Sequence, residues 1–323
     1  MSKFIKILRS IEVTLLVFIV NFGRKVASLY RRIRDFLVPK VRANWRTIVT
    51  AIVILYVIGG AVFGYRLYSQ NRFERADMIA SKIYPFPVAS SGRALVSNSE
   101  LQRWVYSSKN FASKNNLETP SDLPQKVVQE LANYKMAAQE ADRMGVKLTQ
   151  KNIDEKFAVS IEGIGSIEQA RDFISQMYGI SLEQFKNMIK PMILLEKIRE
   201  DKFVRIKVRH ILIKDEGKAK EVLEEIKKGG NFDEIAKDRS EDEGSKEAYG
   251  LLAEGEFLYR GSGLVQEFED AAFKLKKGQV SELVKTEFGY HIIKVDDKQG
   301  SINQTSERWL EGLKSKYPQR IWL

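Results

Sequence analysis

Residues 204–214, VRIKVRHILIK, decide the fold: β-branched residues recur at every second position, the pattern of a strand with one face inside. Past Lys214 the period changes. EGKAKEVLEEIKKGGNFDEIAKDRS (216–240) reads as two helical pieces broken at Gly229-Gly230, and EFEDAAFKLKKGQ (267–279) as a third. VSELVKTEFGYHIIKVDD (280–297) returns to strand as a closing pair around a Phe288-Gly289 turn. A strand, helices and a closing strand pair give an α+β domain over 204–299 with surrounding helices on an antiparallel sheet.

Upstream, residues 94–203 read as an all-α module of five helices. Cap residues stand at Ser97 or Ser99, Ser121, Thr149, Ser166 and Ser181. Val127, Val128, Leu131, Tyr134, Ala138 and Ala141 share one face, and Phe185, Met188, Met192, Leu195 and Ile198 another, with Pro191 expected to bend the last helix. Met136, Met144, Met177, Tyr178, Met188 and Met192 could line an adaptable groove for clients, but their helical spacing favours core. Residues 300–323 read as a helix, SERWLEGLKSKY, and an apolar end that returns to the helical module.

The chain has 323 residues, 53 Lys/Arg against 42 Asp/Glu, two His and no Cys. Disulfides, a cysteine nucleophile and a His/Cys zinc cluster are excluded. The +11 charge points toward nucleic acid until its placement is considered. Residues 1–46 hold 11 basic against 2 acidic residues, leaving 42 and 40 for the rest, so a nucleic-acid partner is not expected. After this arm come nineteen uncharged residues, Thr47 to Tyr65, long enough as a helix to cross a hydrocarbon core of ~30 Å. Trp45, Tyr56 and Tyr65 are candidate interfacial aromatics.

The basic excess before this span places 1–46 in the cytoplasm and the C-terminal domains outside, as a single-pass membrane protein. A cleaved signal peptide is disfavoured, because the apolar stretch is long and is followed by Arg66-Leu67-Tyr68. Val13 to Gly23, eleven uncharged residues, suits a short interfacial helix within the cytoplasmic arm. Gly60 and Gly64 form a weak helix-pairing signal. Residues 66–93, with Pro85 and Pro87, read as an extended tether.

The order VRHILIK, NFDEIAKDRSED and LVQEFEDAAFKLKKGQVSELVKTEFGYHIIKV resembles the parvulin (PpiC-type) family of peptidyl-prolyl cis/trans isomerases over 204–297. The helices before it and the tail after it resemble the chaperone module of SurA/PrsA-type foldases. The resemblance implies that His210 and His291 are the paired imidazoles of the site floor, most naturally neutral members of a hydrogen-bond network. Asp242 matches a position that is Cys or Asp in the family, and Thr286 a Thr bonded into that network. It also implies that Leu264, Phe268 and Phe288 line the substrate groove, with Phe268 against the proline ring.

The chemistry such a resemblance implies is light. Rotation about an X-Pro bond faces a barrier of ~18–20 kcal/mol from lost amide resonance, and nothing covalent breaks. No metal or cofactor is called for. The implied function is isomerisation and chaperoning of unfolded, proline-containing exported polypeptides. One departure stands out: where the family has Gly-Gly-Asp-Leu-Gly, this chain has Tyr249-Gly250-Leu251-Leu252-Ala253. With fewer glycines for positive φ, the adjoining wall is expected to shift and activity to weaken; the alternative is a non-enzymatic holdase with a degenerate parvulin domain. The turn Lys214-Asp215-Glu216-Gly217 lacks the basic cluster of phosphate-directed parvulins.

Overall fold

The computed structural model describes residues 28, 31–32, 45–70 and 73–322. The short helix expected at 13–23 and nearly all of the basic arm lie outside the described residues. The chain divides into two compact units. One holds the chain up to Met136, Ala158–Met188 and the end from Tyr317; the other holds Ala137–Phe157 and Ile189–Lys316.

The first unit opens with α1 (Trp45–Gln70) and α2 (Arg75–Ile83), then strands β1 (Pro87–Ser91) and β2 (Ala94–Ser97). Within α1, Ile48–Leu67 is long and apolar enough to cross a membrane. The segment 66–93, expected as a tether, is structured instead: it contains the end of α1, all of α2 and β1. Two things hold it. Asp77 is buried and pairs with Arg66 at 2.8 Å, and Glu74 and Asp77 cap the start of α2 reciprocally. The prolines act as expected, separating α2 from β1.

Helices α3 (Asn98–Lys114), α4 (Leu123–Arg143), α5 (Gln150–Ile161), α6 (Ile167–Tyr178) and α7 (Leu182–Lys202) come next. Ser97 caps α3 in a box with Glu100, and Ser166 caps α6 with Gln169, as read from the sequence. Helix α7 continues through Pro191 as one element. Met136 and Met188 are buried, whereas Met192 is exposed. The helical module also carries a sheet that helical periodicity did not announce. Strands β2, β1 and β7 (Gln319–Ile321) pair antiparallel, with Ala89 opposite Ile321. Val88, Val96, Leu101, Val128 and Leu131 form its core with Leu67 of α1.

The second unit is built on β3 (Arg205–Ile213), followed by α8 (Glu216–Lys227), α9 (Phe232–Arg239), β4 (Leu258–Tyr259), α10 (Gln266–Lys274), β5 (Val284–Thr286), β6 (Gly289–Gln299) and α11 (Ser306–Lys316). The sheet order is β4-β3-β6-β5, antiparallel throughout. Side-chain alternation sorts the faces. Ile206, Val208, Ile293 and Val295 pack on one side with Phe268 and Phe273 of α10. Ile211, Ile213 and Ile292 pack on the other with α8 and α9. Even positions of β3 and odd positions of β6 therefore share the α10 side, and His210 and His291 belong to those two sets.

Candidate active site

The register of the central pair sets the site. Leu212 lies opposite His291 and His210 opposite Ile293, so the imidazoles are diagonal neighbours on one face. Their Nδ1 atoms are 3.1 Å apart and their rings stack at 15°. Phe268, 3% exposed, stands near-perpendicular to both, at 79° and 86°, with ring centroids 5.5 Å from His210 and 5.3 Å from His291.

A loop residue after α9 and the last residue of β5 complete the row. Asp242 Oδ2 lies 2.8 Å from His210 Nε2, and Thr286 Oγ1 lies 2.8 Å from His291 Nε2. The Phe288 backbone N–H donates to Thr286 Oγ1 at 3.1 Å, while the Phe288 side chain is 56% exposed. Leu264 is half-buried against the core beneath Phe268. Of the seven residues singled out in the sequence, His210, His291, Asp242, Thr286 and Phe268 thus form one connected cluster. Leu264 joins it through packing, and Phe288 contributes its backbone.

Two serines were not anticipated. Ser245 Oγ donates to Asp242 and sits 3.1 Å from His210 Nε2, and buried Ser240 Oγ accepts the backbone N–H groups of Leu212 and Asp242. The Asp-x-x-Ser spacing of a hydrogen-bonded turn was the available signal for the first.

With both imidazoles neutral, as their lowered pKa directions favour, donor and acceptor capacities assign the protons along this row. Ionised Asp242 only accepts, so His210 Nε2 carries a hydrogen and His210 Nδ1 is bare. His291 Nδ1–H donates to it, which leaves His291 Nε2 to accept from the Thr286 hydroxyl, whose oxygen in turn accepts from Phe288. Every member is satisfied with both imidazoles neutral. The electrostatics agree: burial pushes His210 down despite its bond to Asp242. Burial, and then His210, push His291 down to about 4. Burial would raise Asp242, but the hydrogen bonds from Ser245 and His210 hold its carboxyl below the usual range.

The depressed His291 value has a stability consequence. An unfolded histidine titrates near ~6.5, so the unfolded chain binds more protons below that pH. The stability of the second unit should be complete above pH ~6.5 and fall as pH drops through about 4. His291→Gln should flatten that slope, as read by urea unfolding across the acid range; an unchanged slope would refute the neutral assignment.

The turn that departs from the family's glycines uses positive φ at residues of both kinds. Tyr249 adopts φ +57° and Gly250 φ +75°. Gly250 still accepts the His210 N–H at 2.8 Å, and Leu252 N–H still reaches Val208 O at 3.1 Å. The cost is three non-glycine residues in left-handed geometry, Tyr249, Ala253 and Glu254, at about 1–2 kcal/mol each. The turn therefore pairs with β3 on both sides of His210.

Among the described residues, no group of three or more His, Asp or Glu is placed to hold a metal. The site is a largely buried row of side chains from Asp242 to Thr286, joined by hydrogen bonds and packed against Phe268.

Residues 192–299 match the family model of the PPIC-type PPIase domain. That match begins inside α7, twelve residues before β3 was expected to open. A foldase protein PrsA 1 from Bacillus cereus is 46% identical over 37% of this chain and 44% of its own length. A foldase protein PrsA 3 from Bacillus anthracis is 40% identical over 46% of this chain and 58% of its own. The crystal structure of a peptidylprolyl isomerase (PrsA) from Bacillus anthracis aligns over 58% of this chain and 86% of its own, at 28% identity and a TM-score of 0.30. The chain spans about half the length of the curated relatives it matches. Residues 192–299 are therefore a PPIC-type parvulin domain, and the homologues of the chain are PrsA foldase proteins.

Proposed function

We propose that this chain is a membrane-anchored peptidyl-prolyl cis/trans isomerase and chaperone that acts on unfolded, proline-containing exported polypeptides outside the cytoplasm. The observation that carries the reading is the pair of imidazoles, their Nδ1 atoms 3.1 Å apart, with the Phe268 ring near-perpendicular to both. His210, Asp242, Thr286 and His291 act as positioning residues for that floor. A twisted X-Pro amide has lost its resonance and is less polar across the C–N bond. An apolar, water-poor surface fits it better than the planar ground state, and a preorganised floor keeps the surface in shape. Phe268, Leu264 and Phe288 supply the apolar contacts, and no cofactor takes part.

The turn Lys214-Asp215-Glu216-Gly217, which has no basic cluster, supports a preference for unphosphorylated substrates. Helix α1 would anchor the chain, with the basic arm in the cytoplasm. The first unit would hold clients.

The test uses the full chain in detergent. Spontaneous X-Pro exchange takes tens to hundreds of seconds at 25 °C. The chain should accelerate it on an unphosphorylated proline peptide, as followed by exchange spectroscopy. A rate equal to the spontaneous one, with client aggregation still suppressed, would leave the non-enzymatic holdase as the function.

A further inference from the structure

Helix α10, which carries Phe268, starts without a side-chain cap. Its N-cap position is Val265, which cannot accept the first free amide groups of a helix. Glu269, in the first turn, reaches back to the preceding loop instead. Its carboxylate accepts the Gly261 backbone N–H at 2.6 Å and the Arg260 guanidinium at 3.2 Å. Glu269 is only 6% exposed, and both of these partners lie outside the row of side chains around the imidazoles.

Arg260 is committed to the same junction. It also donates to Asp270 at 3.0 Å and, through Nε, to Asn303 at 2.7 Å, and its guanidinium carbon lies 4.8 Å from the centre of the Phe273 ring. The far end of α10 is tied to β6, where Lys298 donates to the Phe273 and Leu275 carbonyls at 2.7 and 2.6 Å. The helix is thus fixed to the sheet at its end and to the 260–265 loop at its start.

That loop carries Leu264. Gly261 at φ +81° and Gly263 at φ +86° turn it, the Tyr259 N–H bonds Ser262 Oγ at 3.0 Å, and Leu264 arrives half-buried against the cluster that holds Phe268. A loop with two such glycines has little conformational preference of its own. Burying an ion pair commonly costs about as much as its attraction returns, and apolar replacements of similar volume are often as stable. What the Glu269 carboxylate adds to packing is direction, because its bonds run to fixed atoms of the loop.

We infer that Glu269 is a positioning residue for the isomerase site: by holding Gly261 and Arg260 it sets the spacing between Leu264 on the loop and Phe268 on α10, the two apolar walls that grip a prolyl ring. Consecutive helical residues point about 100° apart, so Phe268 faces the imidazoles while Glu269 faces the loop. Glu269 itself meets no substrate and acts through Leu264. This inference rests on the isomerase reading.

The test follows isomerisation of an unphosphorylated proline peptide by the full chain in detergent, at a temperature where near-ultraviolet circular dichroism shows each variant folded. Lost stability then does not register as lost rate. Glu269→Leu should lower kcat/KM about tenfold, chiefly through KM, because a misplaced wall weakens the grip on the ring in ground and transition states alike. Glu269→Gln keeps an oxygen for the Gly261 N–H and should stay within about threefold of wild type. In a Leu264→Ala background, Glu269→Leu should cost less than about a further twofold, since the wall it positions is already gone.

An equal loss in both backgrounds would overturn the inference, by showing that Glu269 acts without Leu264. Full kcat/KM in folded Glu269→Leu would overturn it too, and mark the ion pair as structural only. If Glu269→Leu does not fold, Arg260→Met combined with Glu269→Leu replaces the pair by apolar side chains, leaves Gly261 without its acceptor and is read by the same criteria. A wild-type rate equal to the spontaneous one would overturn the isomerase reading and this role with it, whereas either adverse result beside an active wild type overturns this role alone.

Discussion

Phe268→Ala is expected to destabilise the second unit by about 3–5 kcal/mol, the usual cost of deleting a buried phenyl ring. The ring is 3% exposed and packs with Ala272, Phe273 and Ile293 while standing near-perpendicular to both imidazoles. Denaturant unfolding reads this directly, and the transition of the first unit should stay in place. Loss of isomerase activity in this variant would confound stability with chemistry, so Phe268→Leu separates them. Leucine keeps much of the volume and should cost under ~1.5 kcal/mol. It removes the flat surface proposed to receive the prolyl ring, and turnover should still fall by about tenfold, equivalent to ~1.4 kcal/mol. A stable Phe268→Leu protein with full turnover would show that the ring is core and nothing more.

Gly250→Ala should be nearly as damaging, by a different route. At φ +75° an alanine incurs about 1–2 kcal/mol of left-handed strain. Its Cβ would also stand 2.3 Å from the His210 carbonyl oxygen, a backbone atom that cannot swing aside. Relief requires moving β3 at His210 itself. The combined loss should reach about 3 kcal/mol or more, with the imidazole contact and isomerase activity lost together. Gly263→Ala is the control. Its φ is +86°, but a Cβ there meets nothing within 4 Å, so only the backbone strain applies. Equal destabilisation by the two substitutions would show that the close approach to His210 carries no weight.

The two glycines mark where the sequence is informative and where it stops. Period-two alternation in VRIKVRHILIK and YHIIKV already puts His210 on the side of Ile206 and Val208, and His291 on the side of Ile293 and Val295. Caps at Ser97 and Ser166 and the apolar run of α1 are equally local, because each depends on neighbours within a few residues. Ser245 was not legible in the same way. Its spacing from Asp242 makes a turn common on any surface, and only the approach of β3 puts His210 Nε2 within reach of both. Residues 66–93 were misjudged for a related reason. Proline and a short polar stretch signal a linker locally, while the features that order this one, the Arg66–Asp77 pair and the Tyr84 and Phe86 rings on the glycine face of α1, are contacts across the chain.

By itself the sequence determined the strand faces, the helix starts, the apolar segment and the residue types of the site, because periodicity, capping and hydropathy are properties of short windows. Only the tertiary structure decided the cross-strand register that brings the two Nδ1 atoms together, and with it the row of side chains from Thr286 to Asp242. It also decided that Tyr249 tolerates a glycine's backbone geometry. A hydrogen bond between side chains 81 residues apart depends on how strands pair, and pairing is settled by the packing of both sheet faces at once.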